Sequence, residues 1–339
     1  MRIYQWCVKH DPVYAREFSD AGLSHPRTEV LVKIAKLLLS LAMLLVLSAG
    51  ALGAFTSHPS VPSAQAASAR RALFVVSNIG DIPAPGGGQR ASGVWLAELT
   101  DAYWVLHDAV APHFTIDMAS PNGGPSAIDG FSVKLNIADW RSTGVTDSGN
   151  PSNERFLSDP ETRDLIQIDT VPQADGTLQQ RYSFRNTVPL ASVNPADYDV
   201  VFFVGGNGAI FQFPNDERVY GAASTAYDAG KLVSAVCHGT SALLEARLPD
   251  GHYLVAGRRV TGFSNAEEDM LGQRAVTPVL LEDEFPLRGA TYTAAAPFTE
   301  HVVVDGRLIT GQQPASGHGV GEAIVDYFAG SAGAGAAAA

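Results

Sequence analysis

Cysteine is nearly absent: two residues in a chain of 339 exclude a disulfide scaffold. Positive charge is scarce too, with 23 Lys and Arg against 35 Asp and Glu for a net charge of −12, and no basic patch is visible. That excludes a nucleic-acid binder, which gathers cations along the phosphate backbone to displace counterions. The nine histidines show no His-Glu-x-x-His spacing and the cysteines no Cys-x-x-Cys, so no sequence-local metal site is indicated. Gly86-Gly87-Gly88 lacks a following Lys-Ser/Thr and is not a phosphate-binding loop, so no cofactor is implied. With 46% hydrophobic and 17% charged residues, the composition is that of a globular protein and excludes disorder, coiled coil and collagen.

One long apolar run exists. Leu37 to Phe55 spans 19 residues after Lys33 and Lys36, and a Pro/Ser-rich stretch then leads to Ala64-Gln65-Ala66, a small-x-small cleavage pattern. Residues 1–66 are expected to form an N-terminal extension with an export signal, delivering the protein to the periplasm or the cell exterior. The run is also long enough to remain as an uncleaved membrane anchor. The 32 residues before Lys33 are long for a signal n-region, so translation is expected to begin further downstream. The extension carries six Lys/Arg and four Asp/Glu, leaving 17 against 31, a net −14, for residues 67–339. Cys7 departs with a cleaved signal, and Cys237 is then the only thiol in an oxidising compartment.

Residues 67–329 read as one α/β domain. Ala72 to Ser77 is an apolar run suited to a buried parallel strand, followed by a Gly/Pro-rich loop to Ser92. Apolar residues at helical spacing (Trp95, Leu99, Tyr103, Leu106) predict a helix over 94–109, and Phe114 to Ala119 a second strand. Residues 130–197 are polar and read as an insertion that leaves the domain. Alternation resumes with a strand at Asp199 to Val204, a helix near Val219 to Ala229 and a strand at Lys231 to Val236. Such continuous apolar strands fit a sheet covered by helices on both faces. A strand pair around His301 to Val304 and Arg307 to Thr310, a helix over 315–328 and a Gly/Ala-rich tail at 330–339 close the chain. The expected architecture is a doubly wound, mostly parallel α/β sandwich.

The segment from Leu232 to Ala246 carries the chemistry. A β run stops at Cys237 and a helix-forming run begins within three residues, so the cysteine sits at a strand-to-helix turn. Ala235 two before and Gly239 two after match the small-x-nucleophile-x-Gly form of a nucleophile elbow, whose small flanks allow a sharp bend. A helix N-terminus at that point is expected to favour the thiolate. The bland alternative is a small buried hydrophobe.

Five segments in order widen the pattern: Ser92-Gly93-Val94-Trp95-Leu96-Ala97-Glu98-Leu99, Gly205-Gly206-Asn207-Gly208, Cys237-His238-Gly239, Val260 to Glu268, and Asp305 to Ser316. Together they resemble the ThiJ/PfpI family of the class I glutamine amidotransferase-like superfamily, in the branch of heat-shock chaperones and glutathione-independent glyoxalase III, over roughly residues 72–328. The resemblance implies a flavodoxin-like fold, ligands at the carboxyl ends of the strands, and a homodimer. It assigns Cys237 as nucleophile, His238 as its partner, Glu268 as the acid orienting the histidine (with Glu267 as runner-up), and Glu98 as the carboxyl beside the sulfur, which when protonated is to hydrogen-bond it and stabilise the thiolate. Gly206 and Asn207 are to supply backbone N–H groups to a developing oxyanion. Asn207 stands where the branch often has His, and Ala97 where it often has a second Glu. Gly317-His318-Gly319 lacks the His-x-Glu of true glutamine amidotransferases, and His318 with Glu322 reads as an exposed helical pair.

The implied activity is a cofactor-independent lyase converting a small 2-oxoaldehyde such as methylglyoxal to the 2-hydroxy acid. A holdase chaperone and a cysteine peptidase or amidase are the alternatives within the same family. A redox sensor is a fourth possibility, because an accessible thiol oxidises readily.

Overall fold

The computed structural model describes residues 69–133, 150–172 and 176–336; the export signal or anchor, Leu37 to Phe55 included, lies outside them. Among the described residues no helix is long and apolar enough to cross a membrane.

Strand β1 (Arg70–Val75) forms because Ala72 to Val75 are apolar and fully buried on both sides. After it come a small antiparallel hairpin, β2 (Asp81–Pro83) with β3 (Gln89–Ala91), then helix α1 (Leu96–His107) and strand β4 (Phe114–Ser120). The glycine triplet turns that hairpin. β4 lies parallel to β1, with Ala72 opposite Ile116.

The next segment departs from the expected excursion. It contains β5 (Gly124–Ile128), α2 (Gly130–Val133), α3 (Pro151–Ser158), β6 (Ile166–Pro172) and β7 (Leu178–Pro189), and it extends the main sheet. β7 runs antiparallel to β5 and β6 and meets β4 in parallel through Val188 and Pro189. Its composition looks polar because β6 and β7 expose most of their residues, while Phe156, Ile166 and Phe184 enter the common core. Buried Asn153 joins the segment to α1, accepting from Thr100 Oγ1 at 2.6 Å and donating to the Ser132 carbonyl at 2.9 Å.

The core strands then follow as expected. β8 (Val200–Phe203) is wholly buried; α4 (Asn207–Gln212) and α5 (Glu217–Asp228) lead to β9 (Leu232–Val236), also wholly buried. Short β10 (Arg259–Val260), α6 (Asn265–Met270), α7 (Leu281–Leu287) and β11 (Thr291–Tyr292) precede the antiparallel pair β12 (Val302–Asp305) and β13 (Leu308–Gly311). The large sheet runs β12-β13-β9-β8-β1-β4-β7-β5, parallel from β13 to β4, with β6 on β7. α8 (Gly317–Ala336) packs on α1, and α5 packs separately against β8 and β9. α8 runs past the expected end at 328 into the Gly/Ala tail, since alanine is the best helix former. His318 and Glu322 are 3.4 Å apart on its exposed side, as their spacing predicts.

Candidate active site

The site lies where β8 and β9 end and α1 begins. Cys237 follows the last residue of β9 with φ = 56°, a left-handed conformation that a non-glycine side chain adopts only under constraint. Its carbonyl accepts from Thr240 Oγ1 at 2.8 Å, which steadies the bend. The elbow is therefore real, and the helix-forming run that follows takes the 3₁₀ form over Cys237–Leu243.

His238 turns back beside the sulfur, with Nδ1 3.5 Å from Cys237 Sγ, and its Nε2 is 2.8 Å from Glu268 Oε1. Both partners of that second contact are nearly closed to solvent. The imidazole lies over Phe263 with ring centroids 4.3 Å apart, so one face is held by packing. Glu268 sits in the first turn of α6, and its other oxygen accepts from Thr277 Oγ1 at 3.0 Å. Burial opposes ionisation of Glu268, but the His238 charge and hydrogen bond, aided by Thr277 and Gln273, hold its carboxyl below the usual value. Glu267 serves elsewhere. Its Oε2 accepts from the Ser264 N–H and hydroxyl in a capping box, and its Oε1 from the Phe298 N–H and Gln312 Nε2.

Glu98 also reaches the sulfur, from the first turn of α1, and is completely buried. Its carboxyl hydrogen-bonds the thiol. Gly205 makes this approach possible: a Cβ there would lie 2.4 Å from Glu98 Oε2 and 2.8 Å from Cys237 Cβ. Gly206 takes φ = 98°, and a Cβ on it would fall 2.3 Å from the Trp95 nitrogen at the entry to α1.

The thiol itself is pushed well above its ordinary range, first by burial and then by the Glu98 charge and hydrogen bond. Backbone N–H groups of His238 and Gly206 pull in the opposite direction but do not prevail. This corrects the expectation of a thiolate stabilised by a helix N-terminus, because the cost of desolvating an anion beside a carboxylate exceeds what a short 3₁₀ turn returns. Thiol and carboxyl thus form a pair through which one proton can pass.

The N–H groups aimed at the sulfur come from Gly206, whose expected role is toward an oxyanion, and from His238, expected to act through its side chain. Asn207 begins α4 and is 8% exposed; its Oδ1 accepts from Gln273 Nε2 at 3.0 Å. Gln273 carries no motif and escaped the sequence reading, being drawn in only by the chain turn after α6. A cavity of about 780 Å³ between β3 and β7 is lined by Arg90, Ile128, Phe131, Leu178, Gln180 and Tyr182, and Arg90 joins it to the site through Gln273.

Fold and site define an α/β protein of flavodoxin-like topology whose elbow cysteine is flanked by a His–Glu pair and a buried carboxyl. Residues 163–326 match the DJ-1/PfpI family model. Glyoxalase 3 of Candida albicans is 33% identical over 155 residues, 43% of this chain and 64% of that protein. Glutathione-independent glyoxalase of Saccharomyces cerevisiae is 34% identical over 142 residues, 40% of this chain and 59% of that protein. The match thus spans less than two thirds of either relative. The crystal structure of glyoxalase III from Candida albicans superposes with a TM-score of 0.60 at 25% identity, covering 76% of this chain and 97% of that one.

Proposed function

We propose that the protein is a glutathione-independent lyase that adds water across a small 2-oxoaldehyde to give the 2-hydroxy acid. The observation that carries this reading is the placement of two proton carriers against one sulfur, Glu98 and His238. Acyl transfer by a peptidase needs one base at the nucleophile. Turning the hemithioacetal into a thioester moves a proton between the two carbons and another between the two oxygens, which calls for a second group. The names of the glyoxalase relatives support the same substrate class.

The steps balance with these residues alone. The Cys237 thiol passes its proton to Glu98 as sulfur bonds to the aldehyde carbon, and Glu98 returns that proton to the new alkoxide, giving a hemithioacetal. His238 then takes the hydrogen from C1, and the electron pair moves onto the C2 oxygen as an enediolate. The imidazolium so formed is stabilised by Glu268, and the oxyanion by N–H donors near Gly206. His238 returns a proton to C2 while Glu98 carries the C1 hydroxyl proton to the C2 oxygen, leaving a thioester. Water, deprotonated by His238, attacks the thioester carbonyl; the carbon–sulfur bond breaks, and the histidine reprotonates the sulfur. The net change is addition of one water.

The test is the full chain with methylglyoxal and no glutathione, following lactate beside Cys237→Ala. Cysteine-dependent lactate supports the reading; its absence from folded protein overturns it. A holdase would suppress aggregation equally well in Cys237→Ala, and a peptidase would cleave casein only with the cysteine present. Export directed by Leu37 to Phe55 and assembly as a homodimer complete the proposal; they rest on sequence and family resemblance. Cell fractionation and light scattering test them.

A further inference from the structure

The Arg90, Gln273 and Asn207 side chains form a chain of hydrogen bonds whose direction is dictated by chemistry. Arginine has only donors, so its Nη2, 2.9 Å from Gln273, selects the amide oxygen Oε1. Gln273 is 4% exposed, and with its oxygen taken by Arg90 its Nε2 faces Asn207, where it donates to Oδ1 at 3.0 Å. Asn207 then has its acceptor committed, and only the Nδ2 hydrogens remain to meet a ligand. Asn207 directly follows Gly206, whose N–H points at the Cys237 sulfur, so its backbone lies next to the reacting centre. Gln273 is tied to the acid of the triad as well, its N–H donating to the Glu268 carbonyl at 3.1 Å.

We propose that Gln273, backed by Arg90, is a positioning residue that holds the Asn207 amide with Nδ2 toward the carbonyl oxygen adjacent to the carbon bound at Cys237. In the proposed reaction, on which this assignment of the oxygen rests, that is the C2 oxygen where enediolate charge develops. A neutral amide donor placed there strengthens as the charge grows. Without the relay, the Asn207 amide can turn its oxygen inward and repel the same charge.

The orientation is tested without turnover. The full chain is treated with chloroacetone, which carries a carbonyl next to the reacting carbon, or with methyl methanethiosulfonate, which carries none, and modification is followed at the Cys237 peptide by mass. Asn207→Ala and Gln273→Met are each expected to slow the chloroacetone reaction about tenfold, the worth of one hydrogen bond to a developing charge. Asn207→Ala is expected to leave the methanethiosulfonate rate within about twofold, Gln273→Met, which also loses its hydrogen bond to Glu268, to slow that reaction less than the chloroacetone one, and the double variant to react with chloroacetone no slower than the slower single variant. Arg90→Met, at the cavity side, is expected to lower the chloroacetone rate by a smaller factor, and keeps the test open should Gln273→Met fold poorly. Equal slowing with both reagents, additive losses in the double variant, or unchanged rates in Gln273→Met and Arg90→Met would overturn the proposal. Failure of the wild-type chain to make lactate would instead refute the lyase reading, while the two-reagent comparison still decides the orientation of Asn207.

Discussion

Glu98→Gln separates charge from proton transfer at the nucleophile, because the change keeps shape and removes both the negative charge and the ability to carry a proton. The hypothetical Gly205 Cβ lies 2.4 Å from Glu98 Oε2 and 2.8 Å from Cys237 Cβ, which places carboxyl and cysteine within about 5 Å of each other. Two unit charges at roughly that separation repel by about 3 kcal/mol at an effective dielectric constant near 20. Glu98 raises the thiol, after burial itself, so its neutralisation moves the thiol down toward the ordinary range and enlarges the thiolate fraction at neutral pH. Alkylation of Cys237 by iodoacetamide is therefore expected to accelerate at least tenfold at pH 7. Turnover of methylglyoxal is expected to move the other way, falling roughly 10²- to 10⁴-fold, the usual worth of a positioned general acid–base. Stopped-flow alkylation and lactate formation on one preparation read both quantities. Retained turnover would refute the proton-relay role of Glu98. Slower or unchanged alkylation would refute the argument that its charge suppresses the thiolate.

Other consequences can be measured with the same protein. Cys237→Ser is expected to abolish lactate formation while thermal unfolding changes little; substantial residual turnover would exclude covalent catalysis. Glu268→Gln leaves His238 without its buried acid and is expected to cost about 3 kcal/mol by denaturant unfolding at pH 7. Because the folded-state value of Glu268 is depressed, its contribution is present above the unfolded value near 4.5 and is lost as the pH falls through the folded one. The gap between wild type and variant should therefore narrow on acidification below about 4.5; a constant gap would contradict the assigned charge state. Gly205→Ala forces a methyl against the Glu98 carboxylate and the Val236 carbonyl, 2.4 and 2.6 Å away, and is expected to cost roughly 1–3 kcal/mol and most of the activity. Asn153→Ala leaves Thr100 and the Ser132 carbonyl unpartnered in the core and is expected to cost about 2 kcal/mol, read as a lower Tm.

Local sequence determined the parts of this protein that depend on short-range patterns. The apolar runs at 72–75, 200–203 and 232–236 became buried strands because only a doubly covered sheet can satisfy such stretches, and helical spacing placed α1 within two residues of its ends. The bend at Cys237 was legible too, since small neighbours are a local requirement of that turn. Tertiary structure decided what depends on partners far along the chain. Strands β6 and β7 joined the sheet because β7 pairs with β4 and β5, a match that composition does not reveal. It also chose Glu268 over Glu267 for His238: neighbouring helix positions face different ways, and Ser264, Phe298 and Gln312 claimed the latter. The charge state of Cys237 was likewise beyond local reading. Helix polarity acts through nearby residues, whereas burial and the distant Glu98 carboxyl, which hold the proton on sulfur, exist only once α1 has packed against the ends of β8 and β9.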